Sequence, residues 1–380
     1  MIFASPAARL YTVFFAASLT LGNWYPRIAD VQERLALDSV SLGQSLAGLP
    51  FGIMLGFSLL ARAVHRFGFR RTFAIGAPVM AFSLVTAALA PSAPVLFFSL
   101  MAAGAAQGAL GIPGNVEANR MEAALGRPIL VRGHGFWSLA TLVGGAMAAA
   151  FRGWGVEPVL HFVVVLPVSL LLLWLGLKEF SASPERDDEE TASAPILVLP
   201  TRAIFGLFLA GGVVLYLDSA ASDWSGILMR DALGAGAILS GLALAAWALG
   251  QTSGRLIHPT LAARVAQTPM ALAFLGTAAI GVGVIAVSAS VPITILGFVL
   301  LGFGTSSMLP LALSAAARLA ERAPAASVAS LSQLAFLVSV LSPPVIGWVV
   351  GATDIRIAFL LGLALLAVSA AIVITRRPFA

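Results

Sequence analysis

The sequence has very little charge and no cysteine. Asp, Glu, Lys and Arg make up 10% of the 380 residues, whereas hydrophobic residues make up 59%. A soluble domain carries about a quarter charged residues, so too little polar surface remains here to cover a water-soluble globule. We therefore expect most of the exterior to face lipid. Because cysteine is absent, disulfides, thiolate metal sites and cysteine nucleophiles are excluded.

The basic residues that are present are scattered singly or in pairs between apolar runs. The net charge of +5 therefore gives no basic face, and we expect no nucleic-acid partner. The four His residues lack a metal-ligand spacing such as HExxH. Neither paired acids nor an activated nucleophile is evident at midplane depth. We accordingly expect no metal, no cofactor and no enzyme activity.

Long apolar runs recur along the whole chain. The hydrocarbon core of a bilayer is about 30 Å thick, so a spanning helix needs about 20 mainly apolar residues. Breaks at charged, Pro and Gly clusters delimit candidate spans near residues 8–30, 41–62, 71–90, 94–117, 133–151, 157–177, 201–222, 236–257, 268–288, 292–317, 326–349 and 354–375. The pattern predicts an all-α polytopic membrane protein with twelve transmembrane helices.

The basic residues predict the orientation of these spans. Seventeen of the 22 Lys and Arg residues lie on the cytoplasmic side if both termini are cytoplasmic, and five lie outside. Cytoplasmic segments carry an excess of Lys and Arg, so this orientation is the expected one. An odd number of spans would break the alternation between loops rich and poor in Lys and Arg. The excess of these residues on one side therefore also supports an even number of spans.

The longest polar stretch lies near the midpoint, after the sixth span. It starts at Lys178 and includes four consecutive acids at 187–190. We expect a flexible cytoplasmic linker over 179–200, joining six-helix bundles over 1–178 and 201–380. An acidic regulatory surface is the alternative.

The two halves contain an internal repeat. Four landmarks recur in the same order with offsets of 193 to 200 residues. They are Trp24 and Trp224, residues 62–65 and 255–258, Gly104 and Gly302, and residues 138–143 and 333–338. Parallel six-span repeats of this kind hold a substrate between the halves, near the bilayer midplane.

Residues 61–71 read ARAVHRFGFRR and follow the second span. The segment resembles the loop between the second and third spans of the major facilitator superfamily, which usually reads Gly-x-x-x-Asp-Arg-x-Gly-Arg-Arg. The positions that fit are Arg66, Gly68, Arg70 and Arg71. His65 replaces the Asp that helps to latch the two halves in that family. The resemblance implies a conformational loop whose latch between the two halves is altered and sensitive to pH. The alternative is a loop whose Arg residues only anchor the topology.

Further segments resemble a bacterial inner-membrane branch related to the fucose permease, among them residues 22–28 and 108–119. The branch often carries an acid four residues before an Asn in the fourth span. Here Asn115 stands at that position before Asn119, and Glu117 cannot substitute because two residues rotate a helix by about 200°. The resemblance implies a multi-pass protein of the inner (cytoplasmic) membrane. Proton coupling, for example symport, stays open beside uniport.

Neutral polar and aromatic side chains are the candidate substrate contacts. By the geometry that the resemblance implies, the first, fourth, seventh and tenth spans line the cavity. They contribute Asn23, Trp24, Gln107, Asn115, Tyr216, Thr305, Ser306 and Ser307. Gln107 lies near the centre of the fourth span, where its amide needs a polar partner. Hydrogen bonding between helices is the alternative for each of these residues.

Ionisable residues within spans are candidates for proton coupling or gating, because their burial is costly. The candidates are Asp218, Glu117, Arg27, Asp30 and His134. Asp218 is predicted one turn inside the outer end of the seventh span, with snorkelling as the alternative. The i, i+3 spacing of Arg27 and Asp30 at the outer end of the first span fits either an extracellular gate or a surface ion pair. Glu117 is also spaced to pair locally with Arg120, and His134 is alternatively a satisfied interface histidine.

These patterns favour a secondary transporter that moves a small neutral or amphipathic organic solute by alternating access. We expect a monomer whose partners are the solute and membrane lipid, with protons as a further candidate. Pro113 and Pro310 predict broken or flexible helix in the fourth and tenth spans that would serve gating. A drug-type exporter is one alternative, although residues 143–145 lack the Gly-Pro motif of that class. A membrane sensor that has lost transport is the other.

Overall fold

The computed structural model describes residues 5–59, 61–127, 129–183 and 198–379, with side chains described for these residues except 59–66 and 325. This part of the chain is helical and contains no strand. Its helices are α1 Pro6–Trp24, α2 Ile28–Leu35, α3 Ser39–Leu46, α4 Gly48–Leu59, α5 Ala61–Ala88, α6 Ala93–Leu125, α7 Leu130–Gly153, α8 Pro158–Leu177, α9 Arg202–Leu207, α10 Leu215–Leu233, α11 Ala237–Ala262, α12 Gln267–Val287, α13 Val291–Thr305, α14 Met308–Ala317, α15 Pro324–Ala352 and α16 Ile355–Arg376.

The helices account for the apolar runs of the sequence. Within the described ranges, nine helical segments are long and apolar enough to cross a membrane. Each of the twelve predicted spans coincides with helix, so the prediction of an all-α polytopic membrane fold is confirmed. The number twelve itself stays a prediction.

Two of the helical spans extend well past the ends predicted for them. α6 continues past residue 117 to Leu125, and the seventh span extends over Arg202–Leu233 instead of ending near residue 222. It stops at Gly234, whose φ of 61° gives the left-handed cap that glycine adopts without cost. Asp218 therefore lies near the middle of its span, and its predicted place one turn from the outer end was wrong.

Several helices are interrupted within a span. α1 and α2 are joined by a 3₁₀ turn over Tyr25–Arg27, and a π-helical turn over Phe208–Gly212 separates α9 from the start of α10. The Ser369 hydroxyl donates to the carbonyl of Ala210 within that π turn, at 2.5 Å. Such turns free backbone groups and recur at functional sites.

The two predicted proline breaks had different outcomes. α6 runs continuously through Pro113, so the helix is not broken there. The tenth span does break close to Pro310, because Ser306 and Ser307 separate α13 from α14. Pro310 lies in the first turn of α14, where a proline needs no backbone donor.

The described residues form two compact units, Met1–Thr191 and Ala192–Ala380, called here the N-terminal and C-terminal units. In the N-terminal unit, α4 and α6 approach closely at glycines. A Cβ added to Gly52 would lie 2.0 Å from the Met101 carbonyl oxygen, and one added to Gly104 would lie 2.0 Å from that of Leu49. Any side chain at these positions would collide with backbone, so the helices can pack this closely only through glycine.

The same packing recurs between α11 and α13 of the C-terminal unit. A Cβ on Gly250 would lie 2.1 Å from the Val299 carbonyl oxygen, and one on Gly302 would lie 2.1 Å from that of Trp247. These four residues follow their counterparts in the N-terminal unit by 198 positions each. The repeat found in the sequence therefore has a counterpart in helix packing. It also makes Thr305 the counterpart of Gln107.

Candidate functional site

A polar stripe follows one face of α6 in the N-terminal unit. Gln107, Gly111 and Asn115 are spaced four residues apart, which places them above one another on a helix. All three are partly exposed, and a Cβ added to Gly111 would meet no atom within 4 Å. The stripe is about 12 Å long, since a helix rises about 1.5 Å per residue. At Gly111 the stripe therefore borders open space.

Gln107 supplies an unsatisfied acceptor to this stripe. Its Oε1 atom is buried and has no hydrogen-bond partner among the residues that the structure describes. A buried polar atom left without a partner costs about 1–3 kcal/mol, so native structures usually satisfy it with protein, water or ligand. The stripe thus contains a buried acceptor that no described protein group satisfies.

At the other end of the stripe, a hydrogen bond joins Asn115, a predicted substrate contact, to His134, a predicted proton-coupling or gating residue. Nε2 of His134 on α7 donates to Oδ1 of Asn115, at 3.1 Å. The imidazole also lies edge-on to Phe14 of α1, with ring centres 5.8 Å apart. His134 is exposed. It therefore orients the Asn115 amide while one side of its ring remains accessible.

In the C-terminal unit, the Asp218 carboxylate is held by two neighbouring helices. The Thr305 hydroxyl donates to its Oδ1 at 2.6 Å, and Nε2 of Gln251 donates to the same oxygen at 2.9 Å. Gln251 also donates to Oγ1 of Thr305, at 3.0 Å. α10, α11 and α13 thus meet in one closed triangle of hydrogen bonds. Sequence analysis named Asp218 and Thr305 but missed Gln251.

This cluster retains unused hydrogen-bonding capacity. Oε1 of Gln251 is buried and without a partner within the described ranges, whereas Nε1 of Trp247 is buried beside the Asp218 carboxylate. They belong to one face of α11, on which Arg255 follows Gln251 by a further turn and donates from Nε to the Ser306 carbonyl at 3.5 Å. The cluster therefore offers one free acceptor and one acid. The polar residues at 251 and 255, one turn apart in an apolar span, were the signal that the sequence contained.

A second buried network lies where α1 gives way to α2. The Arg27 guanidinium is 2% exposed and donates from three nitrogens: to Nδ1 of His161 at 3.0 Å, to Asp30 at 2.8 Å, and to the Val156 carbonyl at 2.8 Å. Arg152 donates to the other oxygen of Asp30, also at 2.8 Å. The ion pair between Arg27 and Asp30 is thus present. Arg27 itself is buried, so the pair is not the surface pair considered from the sequence.

The protonation of His161 follows from its neighbours in this network. Arginine can only donate, so Nδ1 of His161 must accept and the ring proton must be on Nε2. Nε2 in turn donates to Oδ1 of Asn23 at 2.8 Å, and Asn23 donates to the Leu19 carbonyl at 2.9 Å. The hydrogen bonds from Arg27 through His161 and Asn23 to Leu19 therefore all run in the same direction, and the imidazole is neutral. Both polar atoms of the Asn23 amide therefore have hydrogen-bond partners within the N-terminal unit.

Other predicted contacts also have partners inside their units. Trp24 is 1% exposed, and the Tyr216 hydroxyl donates to the Ala358 carbonyl at 2.8 Å. The Ser306 hydroxyl donates to the Phe303 carbonyl at 2.7 Å. Glu117 is 2% exposed and accepts from the Ser183 amide at 2.7 Å.

The loop after the second span is partly described. Gly68 has a φ of 67°, a conformation that favours glycine and that kinks α5 at this point. Arg71 is exposed, and Nη2 of Arg70 donates to the Lys178 carbonyl at 3.3 Å. The side chains of His65 and Arg66 lie outside the described residues.

Comparisons with known proteins bear on this fold. No family model matches the sequence. An uncharacterized MFS-type transporter of Yersinia pestis is 26% identical over 347 residues, covering 91% of this chain and 89% of the relative. An uncharacterized transporter of Sinorhizobium fredii is 28% identical over 360 residues, covering 91% of each chain. Membrane protein MosC of Rhizobium meliloti is 23% identical over 350 residues, covering 91% of this chain and 84% of MosC.

Solved structures share the fold at lower identity. The nucleoside transporter NupG has a TM-score of 0.71 and 14% identity, covering 97% of this chain and 98% of NupG. A bacterial homologue of the human lysosomal transporter Spinster has a TM-score of 0.70 and 16% identity, covering 98% and 96%. The chain therefore shares the fold of these solved transporters, it is similar to an MFS-type transporter over most of its length, and its apolar helices are those of a multi-pass membrane protein.

Proposed function

We propose that the chain is a secondary transporter that moves a small neutral or amphipathic organic solute by alternating access of its two six-helix halves. The observation that carries this proposal is the stripe of Gln107, Gly111 and Asn115 on α6. It combines open space at Gly111 with a buried amide oxygen on Gln107 that has no partner in the described structure. Both features suit a solute that brings its own hydrogen-bond donor.

The chemistry of the stripe favours an uncharged ligand. Its hydrogen-bonding groups are two carboxamides and the Asn115-bound imidazole of His134. Amides pair with hydroxyl, amino and carbonyl groups, whereas a fixed charge would need an opposite charge in the membrane interior. Nucleosides belong to this solute class, and the likeness in fold to NupG makes them a reasonable part of a first screen.

The test is a binding screen followed by uptake into proteoliposomes. Solutes that raise the unfolding temperature of the purified protein are taken forward, because a ligand stabilises the state that it binds. Gln107→Leu should weaken binding and uptake of such a solute about tenfold, the value of one good hydrogen bond. Gln44→Leu is the control, since Gln44 is an exposed glutamine of the same unit. Unchanged affinity and uptake in Gln107→Leu would remove this stripe from the binding site.

We further propose that Asp218 couples transport to protons. Asp218 is partly exposed, and its carboxylate accepts from a hydroxyl and an amide, groups that can bind either protonation state. The charge of Arg255 on the neighbouring helix also acts on it. An inward proton gradient should accelerate uptake by the wild type but not by Asp218→Asn. Asp223→Asn is the control, because Asp223 is on the same helix with two serine hydroxyls as donors. Wild-type uptake that ignores the proton gradient would reject this role.

The finer assignments complete the proposal. We propose an inner-membrane protein with cytoplasmic termini, a monomer, a cytoplasmic linker at 179–200 and kinship with the fucose permease branch. Residues 184–197 of that linker lie outside the described residues. Binding of a solute without flux would favour the sensor, and export without import would favour the drug-type exporter.

A further inference from the structure

A groove opens between α5 and α8 on the surface of the N-terminal unit. It has a volume of about 450 Å³ and lies beside Pro78 and Ala74 of α5 and Leu173 and Trp174 of α8. Trp174 is 57% exposed, and the neighbouring Leu171 is 55% exposed. Exposed leucine and tryptophan on a spanning helix face the acyl chains of the membrane. The groove therefore opens toward lipid.

Two cations mark one end of this apolar groove. Arg70 and Lys178 line it, and Nη2 of Arg70 donates to the Lys178 carbonyl at 3.3 Å. The Lys178 ammonium lies 5.2 Å from the centre of the Trp174 ring, which holds it over the groove. Both side chains are exposed at the end of a span, where basic residues reach the headgroup layer.

The nearest acid is already engaged by another arginine. Glu179 follows Lys178 in sequence and forms an ion pair with Arg9. Hydrogen bonding to Arg9 lowers the pKa of Glu179 below its usual value, and the neighbouring Lys178 contributes. Across the ranges that the structure describes, no acidic side chain forms an ion pair with Arg70 or Lys178. The end of the groove thus has an excess of positive charge.

We propose that this groove is a binding site for an anionic diacyl phospholipid. The phosphate lies between Arg70 and Lys178, and one acyl chain runs along Leu173 and Pro78 toward the membrane centre. Arginine and lysine bind phosphate oxygens through charge-assisted hydrogen bonds, and basic pockets between helices are suited to lipid headgroups. A free phosphate would use only the cations, whereas a phospholipid also uses the apolar wall.

The C-terminal unit provides an internal comparison. Its helix α12 contains no Lys or Arg anywhere over Gln267–Val287. The last helix α16 does end in two exposed basic residues, Arg376 and Arg377. Those two arginines give a charge-matched control that lies outside the groove.

The test uses native mass spectrometry of the full-length protein in detergent, titrated with phosphatidylglycerol or phosphatidylcholine of identical acyl chains. The wild type should retain phosphatidylglycerol preferentially. The double variant R70Q/K178Q should lose about thirtyfold in affinity for it, as two basic residues at a membrane surface imply. The control R376Q/R377Q should bind as the wild type does. Equal retention of both lipids, or unchanged binding by R70Q/K178Q, would overturn the proposal.

A second variant tests the apolar part of the site. Ala74 is exposed and lines the groove, so Ala74→Phe should fill it without disturbing the core. The variant should lose phosphatidylglycerol while its unfolding temperature without lipid stays unchanged. Inorganic phosphate at millimolar concentration should not displace the lipid from the wild type. Displacement by phosphate, or full retention by Ala74→Phe, would reduce the site to a pair of cations and contradict the proposal.

Discussion

Buried polar side chains of the N-terminal unit form a series of hydrogen bonds that all run in the same direction. His161 accepts from Arg27 and donates to Asn23, so both of its nitrogens are used and neither leaves a charge on the ring. The Arg27 charge is matched by Asp30, which also binds Arg152. A buried arginine is tolerated here because each of its three donating nitrogens has an acceptor.

Replacing His161 by Leu should therefore destabilise the protein. The change leaves the Arg27 Nε–H and the Asn23 Oδ1 unpaired in a buried place, each at a cost of about 1–3 kcal/mol. Denaturation in detergent, followed by tryptophan fluorescence, measures the free energy of unfolding. His258→Leu is the matched control, because Nδ1 of His258 is already buried without a partner in the described structure. Equal stability of the two variants would show that the His161 network contributes nothing.

The residues that sequence analysis missed have distant partners. His161 lies 134 positions from Arg27, and Gln251 lies 54 positions from Thr305. A hydrogen bond between such positions leaves no spacing that pairs the two residues, although Gln251 and Arg255 mark a polar face of their own span. Gln107 could be found because its own helix offers it only small apolar neighbours. The role of a polar residue could therefore be predicted only where its hydrogen-bond partner did not lie in another span.

Helices were easier to predict than their ends. Apolar runs located every span, because about 20 apolar residues are needed to cross the bilayer. The seventh span was ended too early at the polar group around Asp223. In the structure the hydroxyls of Ser219 and Ser222 bind this carboxylate from the same helix, which removes the reason to stop there. Local polarity predicts a helix end only when the polar group lacks a partner within the helix.

Glycine sets how closely the helices approach, and the two kinds of glycine on α6 give a direct comparison. A side chain at Gly104 would meet the Leu49 carbonyl oxygen, whereas one at Gly111 meets open space. Gly104→Leu should cost at least about 1–3 kcal/mol of stability through overpacking. Gly111→Ala should be neutral or stabilise by about 0.5–1 kcal/mol, since alanine favours a helix.

Thermal unfolding in detergent measures both substitutions. The repeat extends the comparison, because Gly302 meets the Trp247 carbonyl oxygen as Gly104 meets that of Leu49. Gly302→Leu should therefore resemble Gly104→Leu. Similar unfolding temperatures for Gly104→Leu and Gly111→Ala would show that close helix contact at Gly104 is not required.

The whole molecule consists of two units with equivalent packing and different polar sites. The glycine contacts recur at an offset of 198, but Gln107 of one unit corresponds to Thr305 of the other. The N-terminal unit thus offers a neutral amide stripe, and the C-terminal unit offers an acid that accepts from a hydroxyl and an amide beside Arg255. We infer a division in which the first binds solute and the second handles protons.

Solute counterflow tests the central claim of transport by alternating access most directly. Proteoliposomes are loaded with an unlabelled solute that binds, then diluted into the labelled solute without any ion gradient. A transporter exchanges one for the other, so the label should accumulate transiently inside, and Gln107→Leu should diminish that peak while Gln44→Leu preserves it. A solute that binds the purified protein yet gives no counterflow peak would contradict the account.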